Sequence, residues 1–304
     1  MPFLRLGLVH TPVTPFAAEG GIDFDLYRQL IDFHLRQGAD ALALPMHAGE
    51  SVSLSEDEKR AAIAFAVDRL HGQAPVIAHV SNAGTAIAAA QARDAQAAGA
   101  SAVVATTPYY WTPPPAMLLQ HVVAIGSTVD IPLFVYNAPD EMAGTRLTAE
   151  LAFRLIEELP NFAGIVDLSL DWQFMIELMT GAPLRRPDFQ LVAGTEHMVS
   201  AGAIGATGMF APLAAIAPLQ VRRLYDICRN QNYFAARPVQ EEIAALRQAM
   251  QPGGPPELKA AMRLMGRDCG LPRAPLLAVE GEASDRLAAA LAASPALAGE
   301  PRGW

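Results

Sequence analysis

Short apolar segments recur along the chain, and each is followed by a segment with helical periodicity. They are almost continuously apolar rather than alternating, which is typical of strands buried on both faces of a parallel sheet. Eight such segments have the length of a strand. They begin near Gly7, Ala39, Pro75, Ala100, Ile131, Ala163, Gln190 and Ala206.

The intervening segments carry the start and stop signals of helices. Asp23 can cap a helix that ends before Gly38. Ser55 and Glu58 form a capping box ahead of another helix. Eight strands that alternate with helices, at a spacing of about thirty residues, predict an α/β fold of the (β/α)₈ TIM barrel type. An open doubly wound sheet is the alternative, but it usually carries a glycine-rich phosphate turn after its first strand, which this sequence lacks.

We assign residues 1–212 to the strands and helices of the barrel. Residues 213–292 contain further helical patterns, interrupted by the linker QPGGPP, and are predicted to form the eighth helix and a C-terminal helical extension packed on the barrel. We expect residues 293–304 to be a loosely held tail.

Composition and charge exclude several classes of partner. Hydrophobic residues make up 52% and charged residues 17% of the 304, which is typical of a globular chain. The net charge of −9 and the isoelectric point near 5.2 argue against nucleic acid and anionic membranes as partners. Cys228 and Cys269 lie far apart and outside any metal-ligand spacing, so we predict two buried thiols in a reducing compartment. The first residues resemble neither a signal peptide nor a membrane span, and a cytoplasmic protein is expected.

In a (β/α)₈ barrel the reactive side chains gather at the carboxyl ends of the strands. The sixth of these ends presents Val166 and Asp167, and the eighth presents Met209, which is apolar. The other polar candidates, in strand order, are His10, Thr11 and Thr14; His47, Glu50 and Ser51; His79 and Ser81; Tyr109 and Tyr110; Tyr136, Asn137, Asp140 and Glu141; and Thr195, Glu196 and His197.

A set of motifs at these strand ends resembles the dihydrodipicolinate synthase / N-acetylneuraminate lyase family. The motifs stand in the family's order and are TPVTPF, HAGESVSLSEDEK, TTPYYWTPP, IPLFVYNAP, GIVDLS, LVAGTE and GLPRAPL. The resemblance implies a (β/α)₈ barrel with C-terminal helices, a small-molecule ligand or substrate, no cofactor, and a homotetramer or dimer. Most members form a Schiff base between a lysine and a 2-keto acid, usually pyruvate, because an iminium on the keto carbon is an electron sink.

The chain departs from the family pattern at the reactive position. The lysine is expected third in the motif GI-K-D/E, where this sequence has Val166. The whole chain contains two lysines, Lys59 and Lys259. We expect Lys59 to be a solvated charge on its helix and Lys259 to lie in the C-terminal helices, with neither at the barrel mouth. The sequence therefore predicts that the family's Schiff-base chemistry is absent.

Other pocket positions have changed as well. The family's threonine pair reads His47-Ala48, and its carboxylate-binding arginine is replaced by Asp140-Glu141-Met142. A pocket that has lost a cation and gained acids should repel a dianionic substrate. Tyr136, Tyr110 and Gly194 match the family.

The resulting assignment has three catalytic candidates. Tyr136 is a proton relay, or alternatively a strand aromatic whose hydroxyl is satisfied nearby. His47 is a general base, since histidines titrate near neutral pH, or it fills the space of smaller residues. Tyr110 completes a neighbouring subunit's site or packs an interface. His10 and His79 are expected to be core or loop histidines. The predicted substrate-binding residues are Ala48, Gly49, Glu141, Val166, Gly194 and Met209.

Three functional hypotheses follow from these residues. The first is a dihydrodipicolinate synthase-like lyase that acts on a small carbonyl or hydroxy compound without a lysine Schiff base. The second is a catalytically inactive paralogue that binds a small ligand. The third is a metal-assisted aldolase-like enzyme using His47, Asp167, Glu196 and His197, although our preferred assignment includes no metal.

Overall fold

The structure is a computed structural model that describes residues 4–251 and 253–304. Eight parallel strands pair in chain order, and the first pairs with the last, so that the sheet closes into a barrel. The strands are β1 Leu8–His10, β2 Ala41–Leu44, β3 Val76–His79, β4 Ala102–Thr106, β5 Leu133–Asn137, β6 Phe162–Asp167, β7 Gln190–Ala193 and β8 Gly208–Ala211. The predicted (β/α)₈ barrel and its eight strand segments are confirmed.

Helices follow the strands, and further helices extend the barrel. They are α1 Phe24–Arg36, α2 Glu56–Leu70, α3 Thr85–Ala97, α4 Pro115–Gly126, α5 Ala149–Glu158, α6 Trp172–Arg185, α7 Met198–Ile204, α8 Pro218–Arg229, α9 Tyr233–Ala249, α10 Pro255–Leu264 and α11 Gly281–Ala292. No helix in these ranges is long and apolar enough to cross a membrane. The thiols of Cys228 and Cys269 are both free and buried, as predicted.

The helices begin where the sequence signals place them. The Asp23 carboxylate accepts hydrogen bonds from the first turn of α1. The predicted capping box opens α2: the Ser55 hydroxyl accepts from the Glu58 N–H, and the Glu58 carboxylate accepts from the Ser55 N–H at 2.9 Å. These side chains satisfy backbone donors that have no partner inside the helix, which fixes where the helix starts.

The strands bury both faces, which explains their continuous apolar character. One cluster of buried side chains fills the inside of the barrel and comes almost entirely from the strands; it includes Val9, Phe134, Tyr136 and Val166. A larger cluster lies between the strands and the surrounding helices. Successive residues of a strand point to opposite faces, so the strands contribute alternately to the two clusters, apart from a register shift at the start of β6.

The last residues are held against the barrel, so the expectation of a loosely held tail is wrong. The Glu300 carboxylate accepts the backbone N–H groups of Leu219 at 3.0 Å and Gln220 at 2.8 Å, at the start of α8. Gly303 donates its N–H to the Met265 carbonyl at 2.8 Å. The free N–H groups of a helix start attract an acidic acceptor, and that acceptor comes from the tail.

Candidate active site at the carboxyl ends of the strands

A cavity of about 370 Å³ opens at the carboxyl ends of β2 to β5. Its polar side chains come from the strand ends and from the start of α2, and its apolar side chains come largely from the surrounding loops. The lining residues are Met46, His47, Glu50, Ser51, Val52, Ser53, Lys59, His79, Ser81, Thr106, Tyr109, Tyr136, Glu141, Met142, Pro255, Pro275 and Leu276. A smaller cavity of about 100 Å³ adjoins it and shares Met46, His47, Tyr136 and Glu141.

Tyr136 connects the two cavities from its place on β5. The side chain is 6% exposed, and its ring lies 6.5 Å from that of Phe210. Within the described residues its hydroxyl has no hydrogen-bond partner, and its role as a proton relay stays a prediction. Burial, followed by the nearby Glu141 carboxylate, raises the pKa of Tyr136. The phenol therefore stays protonated at neutral pH and can donate a hydrogen bond to a ligand.

His47 belongs to a rigid turn after β2. The segment His47–Gly49 is a single 3₁₀ turn, and Glu50 follows it with φ of 54°. The buried Glu50 carboxylate accepts the Arg273 N–H at 2.8 Å and lies 2.7 Å from Nζ of Lys259. The imidazole of His47 is exposed and lines both cavities. The C-terminal extension thus fixes the turn that presents His47 to the mouth.

Lys59 also lines the main cavity, so the expectation that it is a solvated charge away from the mouth is wrong. Its side chain is only 9% exposed, and its Nζ lies 3.1 Å from Oε1 of Glu56. Helix α2 begins at the mouth of the barrel, and a long side chain in its first turns reaches the wall of the cavity. Lys259 is instead held by Glu50 and does not line the cavity.

His79 is a lining residue that sequence reasoning set aside as a core or loop histidine. It is the last residue of β3 and lines the cavity beside Lys59. Burial, followed by the charge of Lys59, lowers the pKa of His79 to about 3, so the imidazole is neutral at neutral pH. Its position at the end of a strand was the sequence feature that could have identified it as a lining residue. His10 is the predicted core histidine: its Nδ1 lies 3.0 Å from Nδ1 of His34 inside the protein.

Of the predicted substrate-binding residues, three line the smaller cavity and a fourth packs behind its wall. Ala48, Glu141 and Gly194 line the smaller cavity. Gly49 lies behind it, since a Cβ there would approach the Pro12 carbonyl oxygen at 3.2 Å. Its absent side chain thus permits tight packing of the turn and does not form part of the cavity wall.

Val166 and Met209 line neither of the two cavities. Val166 is fully buried inside the barrel, paired in register with Tyr136, and has no surface that a ligand could contact. Met209 points outward and packs between the barrel and its helices, so its assignment as a lining residue is wrong. Phe210, one position later, points inward and lines the smaller cavity. A shift of one residue along a strand reverses the face.

Tyr110 lies outside the cavity of its own chain. Its side chain is 82% exposed and stands edge-on to Trp111, with ring centroids 5.1 Å apart. The neighbouring Tyr109 lines the cavity instead. The role of Tyr110 in a neighbouring subunit stays a prediction.

Asp167 and Glu196, two of the proposed metal ligands, interact with different protein groups. Asp167 accepts a hydrogen bond from Nδ2 of Asn137 at 2.6 Å, and burial raises its pKa to about 6. Glu196 accepts the Leu213 N–H at 2.7 Å and forms a close ion pair with Arg247. Across residues 4–251 and 253–304, no three His, Cys, Asp or Glu side chains form a metal-binding group. Arg247, from α9, is a cation at the mouth that sequence reasoning missed.

A closed parallel barrel with a largely apolar cavity and convergent polar groups at the carboxyl ends of its strands has the architecture of the (β/α)₈ enzymes. A profile of the Dihydrodipicolinate synthetase family matches residues 5–294, and this chain belongs to that family. A 4-hydroxy-tetrahydrodipicolinate synthase from Azoarcus sp. (strain BH72) is 32% identical over 287 residues, which cover 94% of this chain and 97% of the relative.

Solved structures of the same family have the same fold. Dihydrodipicolinate synthase from Thermotoga maritima superposes with a TM-score of 0.90 at 27% identity, covering 98% of this chain and 100% of that one. A prophage protein of the dihydrodipicolinic acid synthase family from E. coli K12, solved in complex with pyruvate, superposes with a TM-score of 0.88 at 25% identity, covering 95% of this chain and 98% of that one. The homologues are thus lyases and synthases of this family.

Proposed function

We propose that this protein is a lyase that acts on a small carbonyl or hydroxy compound without a lysine Schiff base on β6. The observation that carries the proposal is the pairing of Tyr136 and Val166. A phenol without a hydrogen-bond partner among the described residues stands in the cavity, whereas the residue in register with it on β6 carries no amine. The cavity keeps the acid–base groups such a reaction needs and lacks the group on which an imine would form at that position.

Each polar group has a distinct role in this proposal. The phenol of Tyr136 donates a hydrogen bond to the carbonyl oxygen and stabilises the negative charge that develops when a neighbouring bond breaks or a proton leaves. His47 is the general base, because its imidazole is exposed in the cavity and its turn is fixed by Glu50. The neutral His79 can accept a hydrogen bond from a substrate hydroxyl. A dehydration and a retro-aldol cleavage both require this combination.

The other lysines support a mechanism without an imine. Lys259 is buried in an ion pair with Glu50 and does not line the cavity, and Lys59 is paired with Glu56, so each amine is engaged by a carboxylate. Since the relative from E. coli was solved with pyruvate, 2-oxo acids are the first compounds to test here.

Exchange of deuterium into a 2-oxo acid tests the proposal. The protein is incubated with pyruvate in D₂O, and loss of the methyl proton signal is followed by NMR. We expect the wild-type protein to exchange these protons, Tyr136→Phe to exchange them at least tenfold more slowly, and Tyr225→Phe, whose hydroxyl bonds the Thr207 carbonyl away from the mouth, to match the wild type. Binding without exchange would instead support the inactive ligand-binding paralogue.

Borohydride treatment in the presence of pyruvate, followed by mass spectrometry, tests whether the protein forms an imine. We expect no adduct on the wild-type protein. A covalent adduct on either lysine would contradict the proposed mechanism. Restoration of trapping in Val166→Lys would show that the rest of the cavity still accepts a 2-oxo acid.

We further propose a homotetramer or dimer in the cytoplasm. The support is the pair of exposed aromatic side chains Tyr110 and Trp111, which are 82% and 62% exposed beside the mouth of the cavity. Large aromatic side chains are enriched at protein interfaces, where a neighbouring subunit would cover them. Sedimentation analysis of the wild type and of Trp111→Ala tests this assembly.

A further inference from the structure

Lys59 is a buried cation in the main cavity to which the proposed reaction assigns no role. The side chain lies in the wall, 9% exposed, between the cavity and the groove that separates α2 from α3. Burying a lysine is costly unless its charge is used or compensated. A solvated lysine would extend away from the protein, whereas this side chain runs along α2 to the end of β3.

The ammonium group has hydrogen-bonding capacity left over. A lysine can donate three hydrogen bonds. In the part of the chain that the structure describes, Nζ of Lys59 donates one, to Oε1 of Glu56 at 3.1 Å. The other oxygen of Glu56 accepts from Gln91 at 2.5 Å, and the Glu56 side chain is 45% exposed to solvent. The partner carboxylate is therefore shared and half hydrated, and it leaves two donors of Lys59 available.

The other charges of the cavity leave Lys59 as its anion-binding group. Among the described residues that line the main cavity, Lys59 is the one lysine or arginine. Arg247 lines the adjoining smaller cavity, where it is paired with Glu196. His79 beside it is neutral, and the Glu50 carboxylate is compensated by Lys259. Glu141 is exposed at the mouth and adds a negative charge there. The cavity thus offers one cation inside and one anion at its rim.

The remaining wall of the cavity is apolar. It is formed by the loops after β2 and β5 and by the C-terminal extension, through Met46, Val52, Met142, Pro255, Pro275 and Leu276. A volume of about 370 Å³ exceeds what a three-carbon acid fills. Apolar surface that becomes covered by an alkyl chain contributes favourably to binding.

We infer that Lys59 binds the carboxylate of the substrate, and that the substrate is a monocarboxylate with an apolar substituent. This inference rests on the proposed function, since it names the group that anchors the carbonyl compound. A second carboxylate would face Glu141 at the rim and be repelled. The cavity therefore selects against dianions and favours a branched alkyl chain over a methyl group.

Isothermal titration calorimetry with three probes tests the inference. We expect 4-methyl-2-oxopentanoate to bind at least tenfold more tightly than pyruvate and at least tenfold more tightly than 2-oxoglutarate. Lys59→Met should weaken binding of 4-methyl-2-oxopentanoate by about ten- to a hundredfold, the range for a lost charge-assisted hydrogen bond. Arg60→Met, which removes the adjacent but half-exposed cation of the same helix, should leave the affinity unchanged.

A second measurement needs no variant. The primary amide of 4-methyl-2-oxopentanoate keeps the shape and loses the charge, and it should bind the wild type about as weakly as the acid binds Lys59→Met. Equal binding of acid and amide, or unchanged affinity in a folded Lys59→Met, would overturn the role of Lys59. Neither result would affect deuterium exchange by Tyr136 and His47, so the exchange experiment tests the proposed function independently of the role of Lys59.

Discussion

Removing the charge of Lys259 should destabilise the protein by several kcal/mol, because it leaves a carboxylate buried without a counter-ion. Nζ of Lys259 lies 2.7 Å from Oε1 of Glu50, and the two side chains are 2% and 0% exposed. The ammonium also lies 4.1 Å from the centre of the Phe16 ring and donates to the Leu271 carbonyl at 3.3 Å. The change Lys259→Met keeps the length of the side chain and removes these interactions together.

The expected magnitude follows from the distance and the burial. Two unit charges 2.7 Å apart attract by about 6 kcal/mol at an effective dielectric constant of about 20. The cost of removing both charges from water offsets much of this energy while the pair is intact. When one partner is lost, the other keeps its desolvation cost, and the expected loss in the free energy of unfolding is about 3 to 5 kcal/mol.

Urea denaturation at pH 7, followed by circular dichroism, measures this loss. Arg154→Met is the matched control, because it breaks an ion pair whose side chains are 51% and 43% exposed, and it should cost less than about 1 kcal/mol. The double variant Glu50→Gln/Lys259→Met should recover part of the stability, since the amide carries no charge and can still accept the Arg273 N–H. A loss below about 1 kcal/mol in Lys259→Met would refute the reasoning.

Three further changes have definite expected outcomes. Burial raises the pKa of Asp167 from 3.8 to about 6, so its ionisation disfavours the folded state, and the free energy of unfolding should fall by about 3 kcal/mol as pH rises from 3 to 7; Asp167→Asn should lose this pH dependence in thermal melts, and an unchanged profile would assign the dependence to other groups. Ser55→Ala removes the cap of α2 and should cost about 1 kcal/mol in urea denaturation, with no loss at all contradicting the capping role. Gly164→Ala places a Cβ 2.2 Å from the Gln190 carbonyl oxygen and should cost about 3 kcal/mol, whereas Gly21→Ala, whose added Cβ would have no other described atom within 4 Å, should be neutral in the same assay.

The periodicity of the chain determined the fold. The eight apolar segments became the eight strands because a parallel sheet covered on both faces requires nearly continuous apolar residues. Asp23, Ser55 and Thr148 start their helices because their side chains satisfy free backbone N–H groups, an effect that acts over two or three residues. The presence of Val166 on β6 was likewise readable from the chain alone.

The sequence could not decide which face of a strand each residue occupies. In β8 every residue is buried, so Met209 and Phe210 carry the same signal, and only the register of the closed barrel sends Phe210 inward. An alternating strand would have revealed its faces, but a strand covered on both sides does not.

Only the tertiary structure shows which charged groups reach the site. Lys59 belongs to the cavity because α2 begins at the mouth of the barrel, and Arg247 reaches the mouth from a helix of the C-terminal extension. Lys259 and Glu50 are distant in sequence and meet only when the extension packs over the turn after β2. Local patterns report interactions between neighbours in the chain, whereas the pairing of distant charges depends on how whole elements pack, and no short stretch of sequence encodes that.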